Sequence, residues 1–317
     1  MTKQPRIAIL IPCYNEELTV GDVVRSFRAE LPGSEIWVFD NNSTDRTVGV
    51  ARDAGARVGF ELRQGKGYVV QRMFQDIEAD VFVMVDGDGT YPTGDVGKLI
   101  EPIILGNADM TVGSRLTQES KSEFRSLNRL GNYLFLRVIN FIFGVKLTDI
   151  LSGYRAFSRR FVKNIPLFGG GFETETELTI KALGRGYRIV EIPVHLKARP
   201  EGSFSKIRIL HDGFLILNTI LTLFRDYKPL TFFGLAGLLL ILLGLVPGTI
   251  VIVDFIKTGL VPRLPSAVLA VGLVLSGMLL IAVGLVLHTI TRRFQELDHQ
   301  LKMLGKTQKV EQSQESP

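Results

Sequence analysis

Val81-Phe82-Val83-Met84-Val85-Asp86-Gly87-Asp88-Gly89-Thr90 decides how this chain is read. An unbroken apolar run rich in valine, stopped by glycines, describes a strand buried on both faces. Such strands belong to parallel sheets covered by helices, and those sheets bind ligands beyond the carboxyl ends of their strands. Here that end carries two carboxylates one residue apart. Hard oxygen pairs of this kind suit Mg²⁺ or Mn²⁺, ions that share their shell with phosphates. Gly87 and Gly89 let the backbone turn sharply and let a ligand come close.

Outward from this stretch, two more apolar strands end in the same way. Arg6–Ile11 runs into Pro12-Cys13-Tyr14-Asn15-Glu16-Glu17, and Glu35–Asp40 runs on into Asn41-Asn42-Ser43-Thr44-Asp45. A weaker strand is expected at Arg57–Glu61. Helical spacing predicts helices over Leu18–Leu31, Asp45–Ala54 and Tyr68–Ile77. The alternation predicts an α/β domain over residues 1–205, with a mainly parallel sheet and helices on both faces. Gly65-Lys66-Gly67 lacks the third glycine of a dinucleotide fingerprint, and no Gly-x-x-x-x-Gly-Lys-Ser/Thr loop occurs. Lys66 therefore reads as a solvated loop residue, with a diphosphate contact as the alternative.

The chain has 317 residues, 46% hydrophobic and 22% charged, with a net charge of +5. This excludes a disordered chain, and the excess charge is too small and dispersed to argue for nucleic acid. One cysteine, Cys13, excludes an internal disulfide and any multi-cysteine metal site. A mean hydropathy of +0.22 requires the apolar residues to concentrate somewhere. They do so in Phe232–Val253 and Leu264–Thr291, neither of which holds a charge. Each is long enough to cross a bilayer, so residues 230–291 read as two transmembrane helices, the first expected to kink at Pro247. Lys206, Arg208, Arg225 and Lys228 precede the pair and Arg292 and Arg293 follow it, whereas the joining segment Asp254–Arg263 holds only Lys257 and Arg263. The positive-inside bias places both termini in the cytoplasm. No secretory signal is read at the start. Residues 206–229 carry one apolar stripe (Ile207, Leu210, Phe214, Leu217, Leu221, Phe224), expected as a helix lying in the membrane interface or packed on the α/β domain. Residues 292–317 form a cytoplasmic tail, polar and loose from Thr307.

Taken together, these motifs resemble glycosyltransferase family 2, which has the GT-A fold, a Rossmann-like α/β architecture. The opening motif stands as Ile11-Pro12-Cys13-Tyr14-Asn15-Glu16-Glu17. The second, usually Asp-Asp-Gly-Ser-x-Asp-x-Thr, stands as Asp40-Asn41-Asn42-Ser43-Thr44-Asp45-Arg46-Thr47, with Asn41 for the second Asp and Asn42 for the Gly. The third is Asp86-Gly87-Asp88. Val112-Gly113-Ser114-Arg115, Leu151-Ser152-Gly153-Tyr154-Arg155-Ala156-Phe157-Ser158 and Arg199-Pro200-Glu201-Gly202-Ser203-Phe204-Ser205-Lys206 are similar to dolichol-phosphate mannose synthases and bacterial polyprenyl-phosphate glycosyltransferases, as is the C-terminal membrane hairpin.

The resemblance implies transfer of a hexose from a UDP- or GDP-sugar to dolichyl or undecaprenyl phosphate, with inversion and with Mg²⁺ or Mn²⁺, at the cytoplasmic face of the cell membrane. It implies that Pro12, Tyr14, Glu16 and Asp40 line the nucleoside pocket and that Asp86 and Asp88 meet the diphosphate through the metal. Thr90 stands where mannose synthases carry a metal-binding Gln, which makes it a candidate metal ligand beside Asp86 and Asp88. The acceptor phosphate falls to Arg115, Arg129, Arg155, Arg199, Ser203 and Lys206. Arginine suits that task because its planar fork matches phosphate, although Arg155 also reads as a core tie between strands. Glu173, Glu175 and Glu177 fall in a family region near the donor sugar, with Glu175 the candidate for its hydroxyls and first-turn helix charges the alternative. Similar proteins form homo-oligomers, tetramers among them. The competing readings are a non-processive enzyme with a sugar-hydroxyl acceptor and a non-enzymatic membrane scaffold.

Overall fold

The computed structural model describes residues 4–115, 126–171, 173–196 and 209–314. The chain divides into two compact units, Met1–Ile220 and Leu221–Pro317.

The first unit opens with β1 (Ile7–Cys13), α1 (Val20–Glu30), β2 (Glu35–Asp40), α2 (Thr47–Asp53), β3 (Arg57–Phe60), α3 (Lys66–Asp76) and β4 (Val81–Met84). It continues with α4 (Val96–Ile104), β5 (Met110–Ser114), α5 (Ser126–Phe143), β6 (Arg155–Ser158), α6 (Arg159–Val162), α7 (Thr174–Gly184) and β7 (Ile189–Pro193). The strands form one seven-stranded sheet in the order β3-β2-β1-β4-β6-β5-β7. All neighbours are parallel except β6, which runs antiparallel to both β4 and β5.

Side chains alternate across a strand, so β1 feeds two cores. Ile9 and Ile11 pack with Val24 and Phe27 of α1 and Leu99 of α4. Ala8 and Leu10 pack with Val70 and Met73 of α3, Phe157 and Phe161. Helix α1 buries Val20, Val23, Val24 and Phe27, the spacing of one apolar helical face. Because the β1, β2 and β4 side-by-side pairing is parallel, their carboxyl ends, with Asp40, Asp86 and Asp88 at or just past them, open on one edge.

The second unit holds the end of α8 (Ile209–Tyr227), α9 (Pro229–Thr258) and α10 (Leu264–Gln314). Pro229–Thr258 and Leu264–Phe294 are long and apolar enough to cross a membrane. Helix α9 runs on through Pro247 and further than the apolar run, to Thr258, and Gly259 caps it at φ +68°. Helix α10 continues to Gln314, so the segment after Thr307 is helical rather than loose.

Small residues let the two helices touch. Gly237 and Gly244 on α9, and Ala270, Gly277 and Gly284 on α10, are buried at seven-residue spacing, the repeat that keeps one seam of two packed helices in contact. A Cβ on Gly237 would lie 2.5 Å from the Gly277 carbonyl oxygen, and a Cβ on Gly277 equally close to that of Gly237. Gly277→Leu should therefore destabilise the hairpin by about 1–3 kcal/mol. Gly272→Leu, whose Cβ meets nothing within 4 Å, should leave the melting curve in detergent unchanged.

Candidate active site

Three loops meet at the carboxyl edge, and polar side chains tie them together. After β1, the backbone N–H of Asn15 donates to Ser43 Oγ (2.9 Å), that of Glu16 to Thr47 Oγ1 (2.8 Å) and that of Glu17 to Asp45 Oδ2 (3.1 Å). In return Thr44 N–H donates to Asn15 Oδ1 (2.8 Å). The small polar residues of the second motif thus hold the first motif in place. Asp40 ends β2 almost fully buried. Its Oδ2 accepts from Ser43 N–H at 3.2 Å, while Oδ1 is buried with no hydrogen-bond partner among the described residues. A buried acceptor without a donor is costly, so Asp40 Oδ1 is a candidate to accept from a ligand. The partly buried Pro12 lies near the end of β1, and the exposed Tyr14 and partly buried Glu16 stand on the loop that follows.

Past β4, Gly87 sits against Cys13, whose Sγ would lie 2.6 Å from an added Cβ, and the Gly87 carbonyl accepts from Thr19 Oγ1 at 2.7 Å. These contacts fix the turn that carries the two aspartates. Asp88 Oδ1 accepts from the Thr90 backbone N–H (3.1 Å) and hydroxyl (2.7 Å), so Thr90 arrives as a donor to Asp88. Among the described residues no three His, Cys, Asp or Glu side chains cluster as a metal cage. Two hard carboxylates that leave the rest of the shell to phosphate and water are what Mg²⁺ or Mn²⁺ needs beside a diphosphate, so the donor set fits.

Lys66, the first residue of α3, reaches into this centre. Its ammonium lies 2.5 Å from both Asp86 Oδ1 and Glu175 Oε1, with its side chain 13% exposed and that of Glu175 5%. Burial alone would lower its pKa, but the two carboxylates outweigh burial and raise it above the ordinary lysine range, so the cation persists at neutral pH. The entry to α3 is closed by interlocked glycines. A Cβ on Gly65, at φ +139°, would lie 2.0 Å from the Gly170 carbonyl oxygen, and one on Gly67 2.1 Å from that of Gly169.

Arg115, past the end of β5, is gripped by Asp149, Nε to Oδ2 at 2.7 Å and Nη2 to Oδ1 at 3.0 Å. Asp149 is held in turn, because Glu191 on β7 accepts from the Thr148 and Asp149 backbone N–H groups at 2.8 and 2.9 Å. Tyr91 Oη accepts from Gly153 N–H at 3.0 Å. A Cβ on Gly153 would lie 2.4 Å from Asp86 Oδ2. The segment 148–153 therefore grips Arg115 and passes close against Asp86.

The sequence matches the Glycosyl transferase family 2 profile over residues 8–165. Glycosyltransferase AglJ of Haloferax volcanii is 36% identical over 232 residues, which span 73% of this chain and 76% of that protein. The chain belongs to glycosyl transferase family 2. A second relative from the same organism, named dolichyl-phosphate hexose transferase, is 32% identical over 193 residues, 61% of this chain and 83% of its own length. Among solved structures, glucosyl-3-phosphoglycerate synthase of Mycobacterium tuberculosis, in complex with Mn²⁺, UDP-glucose and phosphoglyceric acid, superimposes with a TM-score of 0.59 at 23% identity, covering 70% of this chain and 80% of that one. That likeness shows the GT-A fold.

In this glycosyltransferase two sequence expectations need correction. Lys66 is not a solvated loop residue but a nearly buried cation between two carboxylates. Arg155 cannot meet an acceptor phosphate, because its side chain is wholly buried. It donates to the Ser152 carbonyl (2.8 Å), the Ile150 carbonyl (2.8 Å) and Thr179 Oγ1 (2.8 Å), tying segment 150–152 to α7. The reading as a core tie is the one the structure supports. Arg155→Met should therefore cost about 3 kcal/mol or more of stability, since it strips buried acceptors of their donor. Thermal unfolding in detergent checks this, and an intact melting curve with a selectively raised acceptor KM would contradict it. Glu177 is spent on the Phe168 and Gly169 N–H groups and on Lys181, while Glu173 Oε1 accepts from Gly171 N–H at 3.0 Å. Glu173 Oε2 is buried without a partner among the described residues, and Glu175 is the glutamate that meets Asp86 through Lys66. Arg129 lies on α5 with its side chain outside the described residues, as do Arg199, Ser203 and Lys206 entirely. Sequence reading passed over Tyr91, Asp149 and Glu191, because nothing in their spacing marks them as partners.

Proposed function

We propose that this glycosyltransferase moves a hexose from a UDP- or GDP-sugar to a polyprenyl phosphate, dolichyl or undecaprenyl, with inversion. The observation that carries this reading is the Asp86/Asp88 pair, backed by Lys66, in a chain that also holds two consecutive helices apolar enough to cross a membrane. A site for a charged sugar donor and a membrane anchor in one chain call for an acceptor that is itself a lipid.

Asp40 Oδ1 would accept the base N–H, which uracil and guanine both offer, with Pro12, Tyr14 and Glu16 beside it. Asp86 and Asp88 would hold Mg²⁺ or Mn²⁺, with Thr90 behind Asp88. When bound, the ion supplies positive charge to the departing diphosphate. Lys66 would add a second positive charge there, and Glu175 would face the sugar hydroxyls. An acceptor phosphate oxygen attacks the anomeric carbon as its bond to the diphosphate breaks, and the nucleoside diphosphate leaves with the electron pair. A lipid phosphate is already ionised at neutral pH, so this attack needs no strong base. It needs cations. Arg115, held by Asp149, is the one in view, and the resemblance adds Arg129, Arg199, Ser203 and Lys206.

The basic residues flanking the hairpin favour a catalytic unit and both termini in the cytoplasm. In the joining segment, Arg263 is offset by Asp254 at 3.2 Å, which leaves still less positive charge on that side.

The test is lipid extraction. Purified protein in detergent is given polyprenyl phosphate, Mg²⁺ or Mn²⁺, and labelled UDP- and GDP-hexoses in turn. Label entering the organic phase with one donor is the expected result. Transfer only to added sugar acceptors would replace the lipid-phosphate reading with a hydroxyl-acceptor enzyme.

A further inference from the structure

Position 41 departs from the family pattern, with asparagine where a second aspartate is usual. The structure gives that amide a task an aspartate cannot perform. Asn41 is 3% exposed. Its Nδ2 donates to the Glu61 carbonyl at 2.9 Å and to the Arg63 carbonyl at 2.8 Å. Its Oδ1 accepts from Gly65 N–H at 2.7 Å and from Gln64 Nε2 at 3.3 Å. One side chain thus spans the whole connection between β3 and α3. Asn42, at φ +63°, adds a bond from Nδ2 to the Leu62 carbonyl at 2.9 Å. A carboxylate has no hydrogens to donate, so at position 41 it would point an anion at two backbone carbonyls, that of Glu61 buried.

The connection held this way ends at Gly65, and the next residue is Lys66. On its other side the turn abuts the Gly169 and Gly170 carbonyls, and Gly67 N–H donates to Gly170 O at 3.0 Å. The Lys66 backbone is therefore clamped from two directions, and only the Asn41 clamp comes from the strand end that also carries Asp40. We infer that Asn41 is a positioning residue: it fixes the connection 61–65 and through it delivers the Lys66 ammonium to Asp86 and Glu175, coupling the nucleoside end of the site to its diphosphate end. This rests on the donor reading proposed above. Asn41 itself touches no substrate in this scheme.

The experiment compares Asn41→Asp in two backgrounds, wild type and Lys66→Gln, using the full chain in detergent with Mn²⁺ and UDP or GDP as the titrant. Asn41→Asp should weaken nucleotide binding about tenfold in the wild-type background, which is 1.4 kcal/mol. In the Lys66→Gln background it should cost less than about twofold, because the cation it positions is gone. An equal loss in both backgrounds would overturn the inference, since a role confined to folding does not depend on Lys66. Hydrogen exchange without ligand tests the tie separately. The Gly65 amide should exchange about tenfold faster in Asn41→Asp, and β1 amides should not change. Unchanged exchange at Gly65 overturns the inference. Faster Gly65 exchange in a protein whose wild type binds neither nucleotide overturns the donor reading and leaves the tie standing. Asn41→Ala removes the same bonds without burying an anion, and replaces the aspartate variant if that one does not fold.

Discussion

Asp88→Asn should leave the protein folded and lower turnover by about a hundredfold or more. One oxygen of the side chain accepts from the Thr90 N–H and hydroxyl, and an asparagine oxygen can do the same. What the variant loses is a carboxylate that would hold the divalent ion, and a cation pre-placed at a developing anion is worth about two orders of magnitude or more in rate. Three measurements separate the effects: the melting curve should hold, Mn²⁺ binding should weaken, and turnover of the nucleotide sugar should collapse. Asp86→Asn differs in kind. It also removes one of the two counter-charges of Lys66, so its melting curve should move together with its activity. Near-normal turnover in Asp88→Asn would end the reading of this pair as the seat of a divalent ion.

Strand ends were the legible part of this site, for a physical reason. A strand buried on both faces must be apolar throughout, so β1, β2 and β4 announce themselves, and polar residues that follow them stand where parallel sheets bind ligands. Strand β6 hides because it begins with Arg155. A charged residue in sequence suggests solvent or a ligand, and only the fold reveals two backbone carbonyls and Thr179 waiting to satisfy it. Lys66 and Glu175 lie far apart in the chain, and their meeting depends on the glycine-on-glycine contact between the start of α3 and residues 169–170. No periodicity encodes that contact. Asp149 and Glu191 hide in the same way, since each acts by gripping something else. Asn41 was visible as a departure from pattern, but its reason becomes visible only when residues 61–65 lie alongside it.

Lys66→Met is expected to produce the largest change in stability. It leaves Glu175 and Asp86 as neighbouring carboxylates with their shared cation removed, and Glu175 is almost wholly buried. Deleting one partner of a buried pair costs about 3–5 kcal/mol. The pH dependence identifies the cause. In the wild-type protein the folded-state pKa of Lys66 is raised. Its contribution is therefore complete below the unfolded lysine pKa, about 10.4, and is lost only as pH rises beyond that, so it is flat through neutrality. Denaturant melts should show the loss in Lys66→Met at neutral pH, with the Lys66 contribution in the wild-type protein fading only above about pH 10. Adding Glu175→Gln to Lys66→Met should recover part of the loss, because Asp86 keeps access to solvent. Mn²⁺, which would bring positive charge to Asp86, should raise the variant's melting temperature more than that of the wild type. A Lys66→Met protein as stable as the wild type at every pH would show that the ammonium does not hold these carboxylates together, and its assignment to the diphosphate would fall with it.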